Sequence, residues 1–387
     1  MKKQFIVKIY TKDGGDHDHE LITVFQAIGG IHFTQVINGG LGEIEITLPR
    51  PIEQGIVGEL SDLQYDRIEV YASNSVTTSL VYSGFIQSIE ASVGGGELTK
   101  IIGIGYTFYL QYHFYRSSDD VTITFSSSQV QTAVIDVVNS IASVAANVSI
   151  PITATSATVS TGNTVSINFS ANTVLEAIED LRELAGNNYY FYLDKDNLLN
   201  FKQKPSTATH SFLFGRDIVG EFRYKKSNED VRTHLMFWNG DTLNRMYRNL
   251  NIFDPNDLNS IGGVWEKISD SRYTSTTEMD KLGTAYLKAR ESNNHQIQFT
   301  IVDSVRGGIE DITVGETCKI MNIQDNAIFD DNMQITQIDY YGDYADITVE
   351  DQRSITGKSL NQIRKQLDAV AYRDQAIPNF ENVDITP

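Results

Sequence analysis

The stretch from Ala171 to Pro205 constrains this chain more than any other, because it dictates two element types and the turns that join them. Thr173 and Glu176 form a capping box, in which a hydroxyl and a carboxylate satisfy two orphan amides at a helix start. Val174, Ile178, Leu181 and Ala185 follow at helical spacing, widened by Leu175 and Leu184. Gly186 is placed to stop the helix in a left-handed conformation. Tyr189 to Leu193 then reads as a strand, Asp194-Lys195-Asp196-Asn197 as a turn and Leu198 to Lys202 as the return strand. A helix packed on a hairpin is the expected unit, and it holds no catalytic pattern.

The rest of the chain is dominated by two-residue alternation. Phe5, Val7 and Ile9 alternate with polar neighbours. Further strands are expected at Leu21 to Ala27, Ile31 to Ile37, Gly42 to Leu48, Arg67 to Tyr71, Ser79 to Glu90 and Glu97 to Tyr106. Pro49 and Pro51 end one run, since proline removes a ladder donor. Residues 1–112 together with 209–226 are therefore expected to form a first small antiparallel β-barrel domain.

Residues 113–208 read as an α/β insertion. It holds helices at about 128–146, opened by a capping box at Ser128-x-x-Gln131, and 173–185, followed by the hairpin 188–202. Asn147 to Thr164 is low in charge and reads as loop or irregular strand. Strands resume at His210 to Phe214, Ile218 to Tyr224 and Val231 to Trp238, and later at His295 to Val302, Thr317 to Met321, Asn332 to Tyr340 and Asp343 to Glu350. Residues 227–356 are expected to form a second β-barrel domain. A helical insertion at about 276–291 interrupts it, with Met279, Leu282, Tyr286 and Ala289 on one face behind Ser275-x-x-Glu278. Residues 357–387 read as a C-terminal helix, with Leu360, Ile363, Leu367 and Val370 at seam spacing, and a tail. The expected fold class is mainly β with α insertions.

Two stretches share a pattern. Arg67 to Tyr71 leads to Phe85-Ile86-Gln87-Ser88-Ile89-Glu90, then to Leu98 to Gly103. Thr317 to Met321 leads to Gln334-Ile335-Thr336-Gln337-Ile338-Asp339, then to Ala345 to Val349. In both, an Ile-x-x-Ile step breaks strict alternation, as a β-bulge does. An internal duplication follows from the match.

Composition narrows the function. The 387 residues hold 50 acidic and 31 basic side chains, and this net charge of −19 argues against a general nucleic-acid or anionic-membrane binder, since phosphate binding rests on clustered Lys and Arg. Direct nucleic-acid binding and an anionic-membrane role are not expected. A single cysteine, Cys318, excludes an intrachain disulfide and reads as a buried structural thiol. MKKQFIVKIY alternates like a strand rather than a signal peptide, and no run of about 18 apolar residues suggests a membrane span.

Candidate chemistry is sparse. Asp16-His17-Asp18-His19-Glu20 is the one dense run of metal-capable side chains, and His17 and His19 share a face if the segment is extended. The preceding Asp13-Gly14-Gly15 favours a solvated hairpin tip instead. Asp194 to Asn197 lacks the glycine and later Glu of a calcium loop. Gly103-Ile104-Gly105 precedes no Walker-type Lys-Ser. The run Tyr106, Phe108, Tyr109, Tyr112, Phe114, Tyr115 reads as strand packing rather than a sugar or base platform. No catalytic, cofactor-binding or metal residue is assigned, and no cofactor is expected.

Val174 to Ile178, Asn188 to Asp194 and Leu198 to Phe201 carry a resemblance, as does the order of β domain, helical insertion, second β domain with its own helix, and closing helix. The chain resembles the baseplate hub and tail-associated hub proteins of phage tails. The resemblance implies a virion structural protein rather than an enzyme, made in the host bacterial cytoplasm. It implies a homotrimer in which two similar barrels per subunit alternate around a pseudo-sixfold ring on the DNA exit path. The implied partners are a distal tail protein or tail tube ring, the tape-measure protein, and a central spike, fibre or lysin. Two alternatives stand beside it: a phage-borne cell-wall or glycan hydrolase, which needs converging carboxylates, and a receptor-binding tail protein, which needs exposed distal aromatics.

Overall fold

A computed structural model describes residues 4–12, 19–25, 30–48, 67–73, 78–92, 98–115, 122–144, 152–170, 172–186, 188–227, 231–238, 244–252, 262–269, 276–290, 294–302, 309–321 and 327–350. The expected C-terminal helix at 357–387 lies outside them, as do the segment 13–18 with His17 and the Gly94–Gly96 turn.

The strands in chain order are β1 (Gln4–Lys12), β2 (His19–Phe25), β3 (Gly30–Val36), β4 (Gly39–Leu48), β5 (Arg67–Ser73), β6 (Thr78–Ser92) and β7 (Leu98–Gly105). The inserted segment carries α1 (Thr107–Tyr112), β8 (Thr122–Gln129), α2 (Val130–Val144), β9 (Thr164–Ser170), α3 (Val174–Ala185), β10 (Tyr189–Leu193) and β11 (Leu199–Gln203). Then come β12 (His210–Leu213), β13 (Ile218–Ser227), β14 (His234–Trp238), β15 (Asn244–Arg248), β16 (Trp265–Ser269), α4 (Thr276–Ala289), β17 (Asn294–Val302), β18 (Thr317–Met321), β19 (Ala327–Tyr340) and β20 (Tyr344–Glu350).

The chain divides into two compact units: 1–229 with 293–352, and 230–292 with 353–387. The strands β17 to β20, read from sequence as part of a separate second domain, thus lie in the first unit. That unit is built on one 15-stranded sheet. Six of its strands run β3-β4-β7-β6-β5-β1, and six more run β13-β17-β20-β19-β18-β12. The two sets have the same neighbours in the same chain order. They differ at one end, where β1 lies antiparallel to β5 but β12 lies parallel to β18.

The bulges coincide as well. The β6–β7 ladder shifts between Ile86 and Ser88, and the β19–β20 ladder shifts between Ile335 and Gln337. The Ile-x-x-Ile steps therefore mark real bulges, each inserting one residue so that both isoleucines face inward. Ile335 and Ile338 are buried, and Ile86 and Ile89 pack partly buried against the same core. Alternation does the rest: Val7, Ile9, Ile44, Ile46, Leu48, Ile68, Val70, Ile297, Ile347 and Val349 are fully buried in it.

Two closed barrels were expected. Among the described residues the sheet is an open path from β13 to β2. The reason is local: β3 does not return to β1 but pairs with β19 of the other set.

The insertion docks through its hairpin. Thr173 accepts from the Glu176 amide at 3.2 Å and Glu176 accepts from the Thr173 amide at 2.8 Å, the capping box read from sequence. Gly186 ends α3 at φ 116 and ψ 168, a positive φ but in the glycine-only extended region rather than the left-handed helical one. Asp194 accepts from the amides of Asp196 and Leu198, closing the hairpin turn over Asn197 at φ 62. Tyr192 and Leu193 then pair in parallel with Gly39 and Gly40, and Asn38 donates its amide to Phe191 at 2.7 Å. Tyr190 and Tyr192 enter the main core. Gly315, at φ 88, leaves just the room that the Tyr190 ring fills.

Two sequence readings are corrected. Ser128 is no cap: β8 runs on to Gln129 against β9, and Gln131 instead donates its side chain to the Ser156 and Val159 carbonyls. The aromatic run is not a strand but opens α1, with Tyr106 and Tyr115 buried and Tyr112 and Phe114 exposed. Of the stretch read as loop or irregular strand, residues 152–163 carry turns and isolated bridges at Thr153 and Val159, in keeping with that reading, and β9 follows.

In the second unit, β14 lies between β15 and β16. Leu235 and Phe237 are buried, as are Met279, Leu282 and Tyr286 of α4, in keeping with the expected helical face. Tyr247 covers Gly283, where a methyl group would collide with its ring, and donates to Asp280 at 2.9 Å.

Candidate functional site

The feature with the most structural consequence is the place where the two strand sets meet. Phe33, Thr34, Gln35 and Val36 of β3 pair with Tyr340, Asp339, Ile338 and Gln337 of β19. Thr34 donates to Asp339 at 3.0 Å on one face. On the other face the Phe33 and Tyr340 rings lie 4.8 Å apart, and both are buried. Beyond the junction His32 stacks on Tyr341 at 4.5 Å, and Tyr341 on Tyr344 at 4.8 Å. Burial and neighbouring carboxylates, Asp339 foremost, raise the Tyr341 phenol.

Among the described residues the equivalent positions elsewhere make no such junction. Phe33 lies opposite Ile44, Ile44 opposite Gly103 and Gly103 opposite Ile86. Tyr224 of β13 lies opposite Ile297, Ile297 opposite Val349 and Val349 opposite Ile335. Tyr224 thus stands where Phe33 does. Phe33 is 7% exposed and Tyr224 46%. By the same count Ser88 to Ala91 of β6 correspond to Gln337 to Tyr340 of β19. Among the described residues β13 pairs with β17 alone, and this part of β6 with β7 alone.

The electrostatics of these two edges are opposite. Arg223, Tyr224, Lys225 and Lys226 are all exposed along β13. On the other edge Glu90 is exposed and sits across from Lys100, which also faces Glu45 at 3.0 Å. Glu45, Glu90 and Glu43 together raise the Lys100 ammonium, so acids outnumber the base there.

A buried polar cluster lies on β5. Glu69 accepts from Tyr71 at 2.7 Å, from Tyr10 at 3.0 Å and from Arg67. Burial first, and the Glu69 bond second, push the Tyr10 phenol up to about 12. Every oxygen of the carboxylate is engaged, so the cluster ties β1 to β5 rather than offering a free acid or base. At the other set His210 contacts Glu316 at 2.7 Å, and Glu316 accepts the Thr313 amide at 3.0 Å. Burial opposes ionisation of Glu316, but these bonds hold its carboxyl below the usual range.

The residues singled out from sequence fall as follows. Cys318 is 1% exposed and burial raises its thiol to about 12, so it packs rather than attacks. His17 lies outside the described residues, and of His19 only the backbone is described, in β2. Among the described residues no group of three metal-capable side chains converges, and no helix is long and apolar enough to cross a membrane. Gly103 and Gly105 are strand glycines, the latter pressed against the Leu41 carbonyl. The β3–β19 junction was not foreseen; the paired bulges were its one sequence signal.

No protein-family model and no curated protein matches the chain in sequence. In structure it shares the fold of phage tail proteins. It superposes on a tail protein from Neisseria meningitidis with a TM-score of 0.60 at 11% identity, covering 91% of this chain and 97% of that one. It superposes on the 43 kDa tail protein of prophage MuSo2 from Shewanella oneidensis with a TM-score of 0.61 at 12% identity, over 91% and 99%. For the prophage tail protein gp18 from Listeria monocytogenes the TM-score is 0.52 at 14% identity, over 94% and 99%.

Proposed function

We propose that this chain is a structural hub of a phage tail tip or baseplate. The observation that carries the reading is the duplicated strand order with its matched bulges, in a fold shared with tail proteins over nearly the whole of each chain. Two similar strand sets per subunit let three subunits present six similar elements, so a threefold object can meet a sixfold one. Each set serves as one barrel-like element of the ring, and three subunits assemble as a homotrimer.

In this reading one face of the ring meets the distal tail protein or tail tube. The other face meets a central spike, fibre or lysin. The end of the tape measure and then DNA pass through the middle, and the chain resides in the virion. Its work is mechanical rather than catalytic. A net charge of −19 suits a passage that DNA must traverse without sticking. Light scattering of the purified chain tests this: a trimer, and rings in electron micrographs, are expected. A monomer at every concentration overturns the reading.

A further inference from the structure

We propose that the intramolecular β3–β19 junction is repeated between subunits, with β13 of one copy adding to the Ser88–Ala91 edge of β6 in the next. This deepens the trimeric reading above and rests on it, because it names the two edges and the register by which copies join.

The argument is one of equivalence. The two strand sets share strand order and bulge position, and they are already joined once, by β3 of one set against the bulged strand β19 of the other. The equivalent of β3 in the other set is β13, and the remaining bulged strand is β6. A single chain cannot join these to each other in the same way and remain open, but a second copy can join them head to tail. Repetition of such a contact closes a ring when the rotation permits.

The register follows without adjustment. Phe33 with Tyr340 becomes Tyr224 with Ala91; Thr34 with Asp339 becomes Lys225 with Glu90; Gln35 with Ile338 becomes Lys226 with Ile89; Val36 with Gln337 becomes Ser227 with Ser88. The chemistry agrees with the placement. The hydrogen-bonded pair inside the chain, Thr34 and Asp339, is matched by a cation facing a carboxylate. Lys225 and Glu90 lie on the same, outer face of their strands, since they sit across from Gln296 and Lys100. The exposed Tyr224 falls on the inner face, where its counterpart Phe33 is covered by Tyr340. Arg223 and Lys226 flank the cation in sequence, and Glu43 and Glu45 act with Glu90 on Lys100. Lysine on an edge strand guards against unwanted pairing, so only an acidic edge is admitted.

The test uses the full chain. Lys225→Glu sets two carboxylates against each other at every contact, and Glu90→Lys does the same with cations. Each single change is expected to raise the concentration at which trimers form by about tenfold or more, and the double reversal to restore it. Ser88→Cys combined with Ser227→Cys is expected to yield a covalent trimer on oxidation, visible under denaturing conditions, while either cysteine alone yields none. A trimeric wild type whose double-cysteine form stays uncrosslinked, or whose charge reversals leave assembly unmoved, overturns this register and leaves the hub reading standing. A wild type that never assembles overturns both.

Discussion

The two strand sets differ most at β3 and its counterpart β13. β3 is covered by β19, and its Phe33 is buried; β13 ends in an exposed Arg-Tyr-Lys-Lys run with the same aromatic position open to water. Similar strand order therefore does not make the sets equal. One edge has been given over to internal cohesion, with a hydroxyl–carboxylate bond and an aromatic pair. The other keeps charges that tolerate solvent. What surrounds the sets differs too: one receives the inserted hairpin at Gly40, and the other supplies Gly315 as the seat for Tyr190.

Four measurements press on that contrast, taken from the largest expected effect to the smallest. Gly315→Val forces a branched side chain into the Tyr190 ring at a backbone angle that only glycine adopts freely. It is expected to cost about 4 kcal/mol in denaturant unfolding, whereas Gly186→Val, with open space around its Cβ, should cost less.

Phe33→Ala should cost about 3 kcal/mol, and Tyr224→Ala under about 0.5 kcal/mol in the unassembled chain. Equal losses would mean that β3 and β13 are covered alike.

The inserted helix adds a pH dependence of its own. Burial, partly offset by Arg182, pushes the Glu179 carboxyl from 4.5 up to about 7. The native state therefore holds a proton that the unfolded chain releases, and stability falls as pH rises from 4.5 to 7, by up to about 1.4 kcal/mol per unit. In Glu179→Gln the thermal midpoint should lose most of this slope; an unchanged slope would place the titrating group elsewhere.

Thr173→Ala, which removes the cap of the same helix, should cost about 1 kcal/mol. Circular dichroism melts will separate this local loss from any change in the sheet.

Much of this fold was legible one strand at a time. The strand from Thr317 to Met321 was read to the residue, and most others to within two or three, because alternation and glycine or proline punctuation report a half-buried sheet directly. The bulges were legible for the same reason, as breaks in alternation. The failures have physical causes. Ser128 and Gln131 matched a cap by type, but the amides of that turn are served by a ladder with β9 and by the Asn163 carbonyl, partners distant in sequence. The aromatic run from Tyr106 suits a strand by propensity, yet Phe85 holds Tyr106 and Tyr109 edge-on at 4.5 and 5.3 Å, and tertiary packing settles the turn as a helix. Nothing local fixes which strand edge meets which, so the β3–β19 junction emerges only in three dimensions. The candidate edges at Lys225 and Glu90 were for that reason invisible as a pair.

Cys318 adds a built-in clock. It is the one thiol in the chain, it lies within the β18 strand, and the core keeps it from solvent and from ionising. A thiol reagent added to the native protein therefore reacts at the pace at which this part of the sheet opens, so breathing of the second strand set can be timed without a label.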